Sequence, residues 1–234
     1  MKKIRILSVA IMAVICSTAS AQYYDEYGNW RETRYTSNSH GYDDEFEEGW
    51  CNFYAEYAPL NMVTTAKGGE DRLYHTGTIG FSYNYPIATV ASVELGFETS
   101  GSWFSERLSN GVKSSLSFYH SKVPLNLAFV LPVADGLWIV PFGGINVKWN
   151  IYGEERLGNE TWEIFNDDYM YDDDYNRFQF GYQAGVKLVI ANCISLGASW
   201  KADITPFCTY YDDYSRKEEK ERFKGFSFSV GYCF

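Results

Sequence analysis

"GFSFSVGYCF", residues 225–234, ends the chain. Phe226, Phe228, Val230, Tyr232 and Phe234 fall on every second position, with Gly225, Ser227, Ser229, Gly231 and Cys233 between them. A period of two is that of a β-strand, whose successive side chains point to opposite faces. One face is bulky and apolar, the other small. Chain ends are ordinarily frayed and polar, so an aromatic terminal strand needs a neighbour or a medium for its large face.

Working back from it, seven more segments alternate in the same way. They are FYAEYA (53–58), GTIGFSYNY (77–85), ASVELGFE (91–98), FYHSKVPLNLAFV (118–130), INVKWNI (145–151), FQFGYQAGVKL (178–188) and ISLGASWKADI (194–204). In the fourth, Val123, Leu125, Leu127 and Phe129 share a face, and Leu116 and Phe118 run in the reverse phase, which predicts a bulge near Tyr119. Pro59, Pro124, Pro141 and Pro206 lie in or near strands and predict bulges or strand ends, because proline cannot donate to a ladder.

The connections alternate too. Short turns at 86–89, 132–136 and 191–193 contrast with long polar connections, above all 153–176 and 207–225. Eight strands with short turns at one end and long loops at the other predict an all-β fold, an eight-stranded antiparallel up-and-down transmembrane β-barrel over residues 50–234.

Periodicity gives two faces without saying which is inside. A soluble lipocalin-like barrel would turn the aromatic face inward around an apolar ligand; a membrane barrel would turn it out to lipid. The polar face decides. It carries Glu56, Glu94, Glu98 and Asp203 with Lys122, Lys148, Lys187 and Lys201, four acids against four bases, among Gly, Ser and Asn. Such a set suits a narrow lumen, where pairing offsets the cost of burying charge. The large face has no Lys, Asp or Glu in its central runs, as hydrocarbon contact requires. A bilayer tolerates no open sheet edge, so the last strand must pair with the first, with Phe234 at the periplasmic interface.

The N-terminus agrees with export. Lys2, Lys3 and Arg5 precede an apolar run and Ala19-Ser20-Ala21, the pattern of a secretory signal over 1–21; Ile15 before Cys16 argues against a lipoprotein. Residues 22–49 read as an acidic, flexible leader. The chain carries a net charge of −10, and loss of the three signal cations leaves −13, which argues against nucleic acid as a partner. After the signal no apolar run reaches the 18 residues of a membrane helix.

Cys51, Cys193, Cys208 and Cys233 remain after the signal. Cys193 and Cys233 share the inward parity near one end of neighbouring strands and form a candidate disulfide, with Cys51 the competing partner for Cys233. No Cys/His spacing indicates zinc.

The terminal aromatic with Phe228, Val230 and Tyr232 in step resembles the C-terminal sorting signal of outer-membrane barrels, although Ser229 stands where that signal often has Gly. YHSKVPLNLAF (119–129) followed by PFGGINVKW (141–149) resembles the PorT-like outer-membrane β-barrel family of Bacteroidetes. The resemblance implies an outer-membrane location, contact with membrane lipid and handling by the barrel-assembly machinery through the C-terminal strand. It supplies no catalytic residue.

Chemistry finds little support. The histidines are His40, His75 and His120; His120 and Ser121 are neighbours on a strand and so face opposite ways, unable to form a dyad. Asp172, Asp173, Asp174 and Asn176 offer calcium ligands, but Arg177 and Gln183 stand where an EF-hand needs Gly and Glu. The expectation is a monomeric, non-enzymatic barrel without cofactor or metal. Its long loops are extracellular and both termini periplasmic, for envelope structure, adhesion or partnership with a secretion or uptake complex. The rivals are a rim-active lipid or peptide hydrolase and the soluble lipocalin-like barrel.

Overall fold

The structure is a computed structural model. It describes residues 49–66, 71–107, 111–134, 136–165, 174–212 and 217–234, together with the paired backbone of 23–24 and 30–31. The expected signal over 1–21, nearly all of the 22–49 leader, His40, Asp172 and Asp173 lie outside the described residues.

Eight long strands form the wall: β1 Trp50–Thr64, β2 Arg72–Ala88, β3 Ala91–Arg107, β4 Lys113–Phe129, β5 Leu137–Leu157, β6 Phe178–Ile190, β7 Ile194–Asp203 and β8 Lys217–Cys233. Each pairs antiparallel with its sequence neighbours. β8 then pairs with β1, with Phe228 opposite Tyr57 and Tyr232 opposite Phe53. The ring is closed. At the seam Cys51 N–H donates to Phe234 O at 2.8 Å and Phe234 N–H donates to Cys51 O at 3.0 Å, so the terminal strand is buried along its backbone by the first.

The period of two is obeyed around the wall. Phe228 is 57% exposed and Phe180 52%, whereas Glu94 and Glu98 are each 2% exposed. The large face is outside. Trp103, Tyr119, Trp149 and Phe178 ring the outside toward the loop end; Tyr83, Tyr85, Tyr232 and Phe234 ring it toward the turn end. On β2, His75 and Tyr85 are ten residues apart. At a rise of about 3.3 Å and a tilt of about 40° that spans about 25 Å, the height of a barrel's apolar band.

The strands run past that band. β5 extends to Leu157 and pairs there with a short strand, Glu160–Glu163. The upper part of β8 pairs with Cys208–Asp212, which pairs in turn with Asp174–Tyr175. Much of the 153–176 and 207–225 connections is therefore sheet, because hydrogen-bonded hairpins need no apolar alternation once they leave the band. The turn end is tighter. Residues 89–90 join β2 to β3, and the 191–193 turn holds Ala191 and Asn192 at φ 52° and 56°, the paired left-handed geometry that matches hairpin twist.

Two local expectations need correction. A bulge does occur at the level of Tyr119, where Tyr119 opposes Tyr152 and His120 opposes Asn150. The extra residue is Ile151, on β5, and β4 keeps one phase throughout. Leu116 and Phe118 are buried on the same inner face as His120 and Lys122, so they are large apolar residues inside the barrel. The prolines differ as well. At Pro59 and Pro124 the ladder toward β8 and β3 respectively skips its rungs and resumes in the same register, with neither bulge nor strand end; the missing N–H removes one bond and displaces nothing. Pro141 stays within β5 opposite Val186, and Pro206 alone agrees with the expectation, lying just past the end of β7 at Asp203.

Candidate functional site

The alternation of β1 to β8 gathers one face of every strand inside, so the lumen is where a site could form. It has three layers.

At the loop end an aromatic plug closes the bore. Tyr74, Phe118, Phe223 and Met62 point in from the strands, and Phe207, wholly buried, comes from the chain segment after β7. Phe207 lies 4.7 Å from Phe118 and 5.1 Å from Phe223, ring centre to ring centre, and Tyr74 meets Phe223 edge-on at 5.1 Å. Ile164 and Phe165 fold over Gly153, where a Cβ would come within 2.7 Å and 3.0 Å of them; the absent side chain admits the lid of the plug. Arg177 donates to Phe165 O from the side. Sequence reading missed this layer. The visible signal was the apolar pair Leu116 and Phe118 on the phase of His120.

The middle is an ionic belt. Lys122 Nζ lies 2.6 Å from Glu98 Oε2, Lys148 Nζ donates to Asp203 Oδ2 at 2.6 Å, and Lys201 Nζ donates to Glu56 Oε1 and Oε2 at 2.5 and 2.7 Å. Lys187 pairs with Glu94. All eight ionic residues of the polar face thus meet inside as four pairs, with Lys201 also 3.8 Å from Glu98. Neutral groups complete the belt. Tyr54 donates to Glu98 Oε1 at 2.8 Å, Asn126 Nδ2 to Glu94 Oε1 at 3.4 Å, Gln183 Nε2 to Asn126 Oδ1 at 3.0 Å, and Gln179 Nε2 to Asp203 Oδ2 at 3.2 Å. Charge removed from water is tolerated only when so paired and hydrogen-bonded.

At the turn end Ala128, Val130, Trp138, Val140, Val189 and Cys233 make a second apolar layer. Trp138 Nε1 donates to Asn192 Oδ1 at 2.8 Å, which ties this layer to the left-handed turn. Between the layers, among the described residues, lie cavities of about 20 Å³ and 40 Å³, room for one or a few waters.

The candidate disulfide does not form: Cys193 and Cys233 are both free. Their backbones meet, Cys233 N–H donating to Cys193 O at 2.6 Å. The thiols diverge, that of Cys193 toward Ile190 O and that of Cys233 toward Asn52 Oδ1, because Cys193 belongs to the turn and Cys233 to the strand. His120 is buried beneath the plug with Nδ1 unpartnered, its ring 5.6 Å from Phe118, and Ser121 faces outward. Among the described residues no cluster of His, Cys, Asp and Glu could hold a metal ion. Phe228, Val230, Tyr232 and Phe234 are exposed in line on the outside of β8.

A family model described as the outer membrane protein beta-barrel domain matches residues 8–234. No curated protein matches the chain. Among solved structures, the attachment invasion locus protein Ail of Yersinia pestis is 12% identical, covering 80% of this chain and 99% of its own, with a TM-score of 0.46. Neisserial surface protein A is 11% identical, covering 80% and 97%, with a TM-score of 0.47. The outer membrane enzyme PagL is 11% identical, covering 77% and 97%, with a TM-score of 0.41.

Proposed function

The chain belongs to the outer membrane protein beta-barrel domain family, and from that premise we propose that it is a monomeric, non-enzymatic barrel that displays its long loops outside the cell. Both termini then lie in the periplasm. Within the family, YHSKVPLNLAF and PFGGINVKW favour the PorT-like set of Bacteroidetes, and the exposed aromatic line of β8 is the element offered to the barrel-assembly machinery.

The observation that carries this reading is the filled lumen. Among the described residues, the aromatic plug, the paired ionic belt and the apolar cap fill the lumen around spaces of about 20 Å³ and 40 Å³, each too small for a solute or for the apolar ligand of a soluble binding barrel. Work is therefore left to the loop end, where the tyrosine-rich, acidic connections suit adhesion, envelope integrity or docking of a secretion or uptake complex. The burial of His120 under the plug, with Ser121 on the opposite face, supports the non-enzymatic reading over a rim hydrolase.

Three measurements test it together. The protein is expected in the detergent-extracted envelope and to migrate faster on gels when unheated; protease applied to intact cells is expected to cut within 153–176; planar bilayers holding it are expected to stay silent. Recovery in the soluble periplasm overturns the membrane reading. Phospholipid or lipid A hydrolysis lost in His120→Ala establishes the enzyme instead.

A further inference from the structure

The outward face of β8 changes character along its length. It carries Tyr232, Val230, Phe228 and Phe226, each more than half exposed, and then, at the same two-residue spacing, Lys224, Arg222 and Lys220. Depth follows from the spacing. Lys224 is eight residues from Tyr232 and Arg222 ten, or about 20 Å and 25 Å at about 2.5 Å of height per tilted residue. Lys224 therefore sits just inside the apolar band, Arg222 at its edge and Lys220 above it.

At this level the other strands turn different residues outward: Trp103 on β3, Tyr119 on β4, Trp149 on β5 and Phe178 on β6. The cations are one-sided. Beside them lie Asn61 and Val63, register partners of Lys224 and Arg222 on β1, and Ile204, 54% exposed, beyond β7. Among the described residues none of the three cations enters an ion pair, and Arg222 Nε is enclosed without a hydrogen-bond partner. Glu218, exposed, continues the same face beyond Lys220, whereas Arg222 and Lys224 adjoin Val63 and Asn61 and no acid; a cation at the edge of hydrocarbon in that setting is costly unless an anion arrives from the lipid side.

We propose that Lys220, Arg222 and Lys224 dock the phosphorylated headgroup of an outer-leaflet glycolipid, whose acyl chains lie along Phe226, Phe228 and Ile204. The occupant is a lipid because the cations continue directly into the apolar face of the same strand. It bears phosphate because Arg offers a planar fork of donors and the flanking lysines two more charges, spaced about 6.6 Å per pair of residues along the strand. This site rests on the proposed orientation, loops outward.

The test places the folded full chain in phosphatidylcholine nanodiscs with diphosphorylated lipid A, the same lipid dephosphorylated, or phosphatidylglycerol, and measures retained lipid by mass spectrometry. Each basic residue at an anionic surface is worth about fivefold in affinity, so K220Q/R222Q/K224Q is expected to lower retention of lipid A about 100-fold. R222K, which keeps the charge and the fold but loses the fork, is expected to lower it severalfold. Equal retention by the triple variant or of dephosphorylated lipid overturns the site, as does equal retention of phosphatidylglycerol or full competition by inorganic phosphate. A wild-type chain that fails to enter the nanodisc, shown by an unshifted unheated band, counts against the membrane reading instead.

Discussion

Tyr54 donates its hydroxyl to Glu98 Oε1 at 2.8 Å while its ring lies across Gly80 on the neighbouring strand. Glu98 is held between Lys122 and Lys201, and Tyr54 gives it a neutral donor on the remaining side. Only a glycine leaves room for that ring, because a Cβ at position 80 would fall within it. Gly80→Ala is expected to push the ring aside, break the bond to Glu98 and cost about 1–3 kcal/mol of barrel stability. Urea unfolding in lipid vesicles, followed by tryptophan fluorescence, measures it. Gly77→Ala is the comparison: its Cβ would meet Trp103 on the outer face at an ordinary 3.8 Å and should stay within about 0.5 kcal/mol of wild type.

The belt makes a sharper prediction at Lys187 and Glu94. Lys187→Met leaves the carboxylate of Glu94, 2% exposed, without its cation, at a cost of about 3–5 kcal/mol. Glu94→Gln in the same chain removes the stranded charge and should restore most of the loss. A double-mutant cycle in urea reads the coupling directly; additive losses would mean that the two side chains do not meet.

The belt was legible in the sequence because a period of two is strict: Glu56, Glu94, Glu98 and Asp203 share a phase with lysines, and slipping any strand by one residue would turn its charge into hydrocarbon at about 2–4 kcal/mol for a lysine at mid-depth. The plug was not. Phe118 and Leu116 carry the same chemical label as lipid-facing residues, and periodicity has no sign, so large apolar groups inside the bore imitate a change of phase. Phe207 and Ile164 come from connections, whose return to the lumen is set by tertiary packing and leaves no pattern. The extensions past the band were missed for a related reason: where both faces of a sheet meet polar surroundings, alternation stops reporting strands.

Beyond the aromatic ring at the loop end, Tyr152 donates its hydroxyl to Glu154, which also accepts from Arg156 at 2.9 Å. The hydrogen bond to Glu154 pushes the Tyr152 hydroxyl up to about 12, and the bond from Tyr152 holds the Glu154 carboxyl below its usual range. A raised tyrosine favours the folded state below its unfolded value near 10 and loses that contribution as pH rises from about 10 to 12; a lowered glutamate favours it above the usual carboxylate range and loses it as pH falls below. The difference in phenolate absorbance between wild type and Tyr152→Phe is expected to titrate near 12. Glu154→Gln should bring that titration down toward the ordinary tyrosine value, and no movement would detach Tyr152 from Glu154.

At the seam, the backbone and the ring of Phe234 have separable consequences. Its N–H and C=O exchange both hydrogen bonds with Cys51, while its ring, 46% exposed, stacks 6.2 Å from Tyr232 on the outside. Deleting the residue removes two ladder bonds, each worth about 1 kcal/mol net, so the truncated chain should be less stable in vesicles by about 2 kcal/mol. Phe234→Ala keeps the ladder and should change refolding in vesicles by less than about 1 kcal/mol. In cells the order reverses in importance: if the assembly machinery reads the aromatic line of β8, Phe234→Ala lowers the folded, heat-modifiable fraction in the envelope even though the purified chain refolds normally. A variant that assembles in cells as well as wild type would confine Phe234 to closing the ring, with recognition carried by Phe228, Val230 and Tyr232.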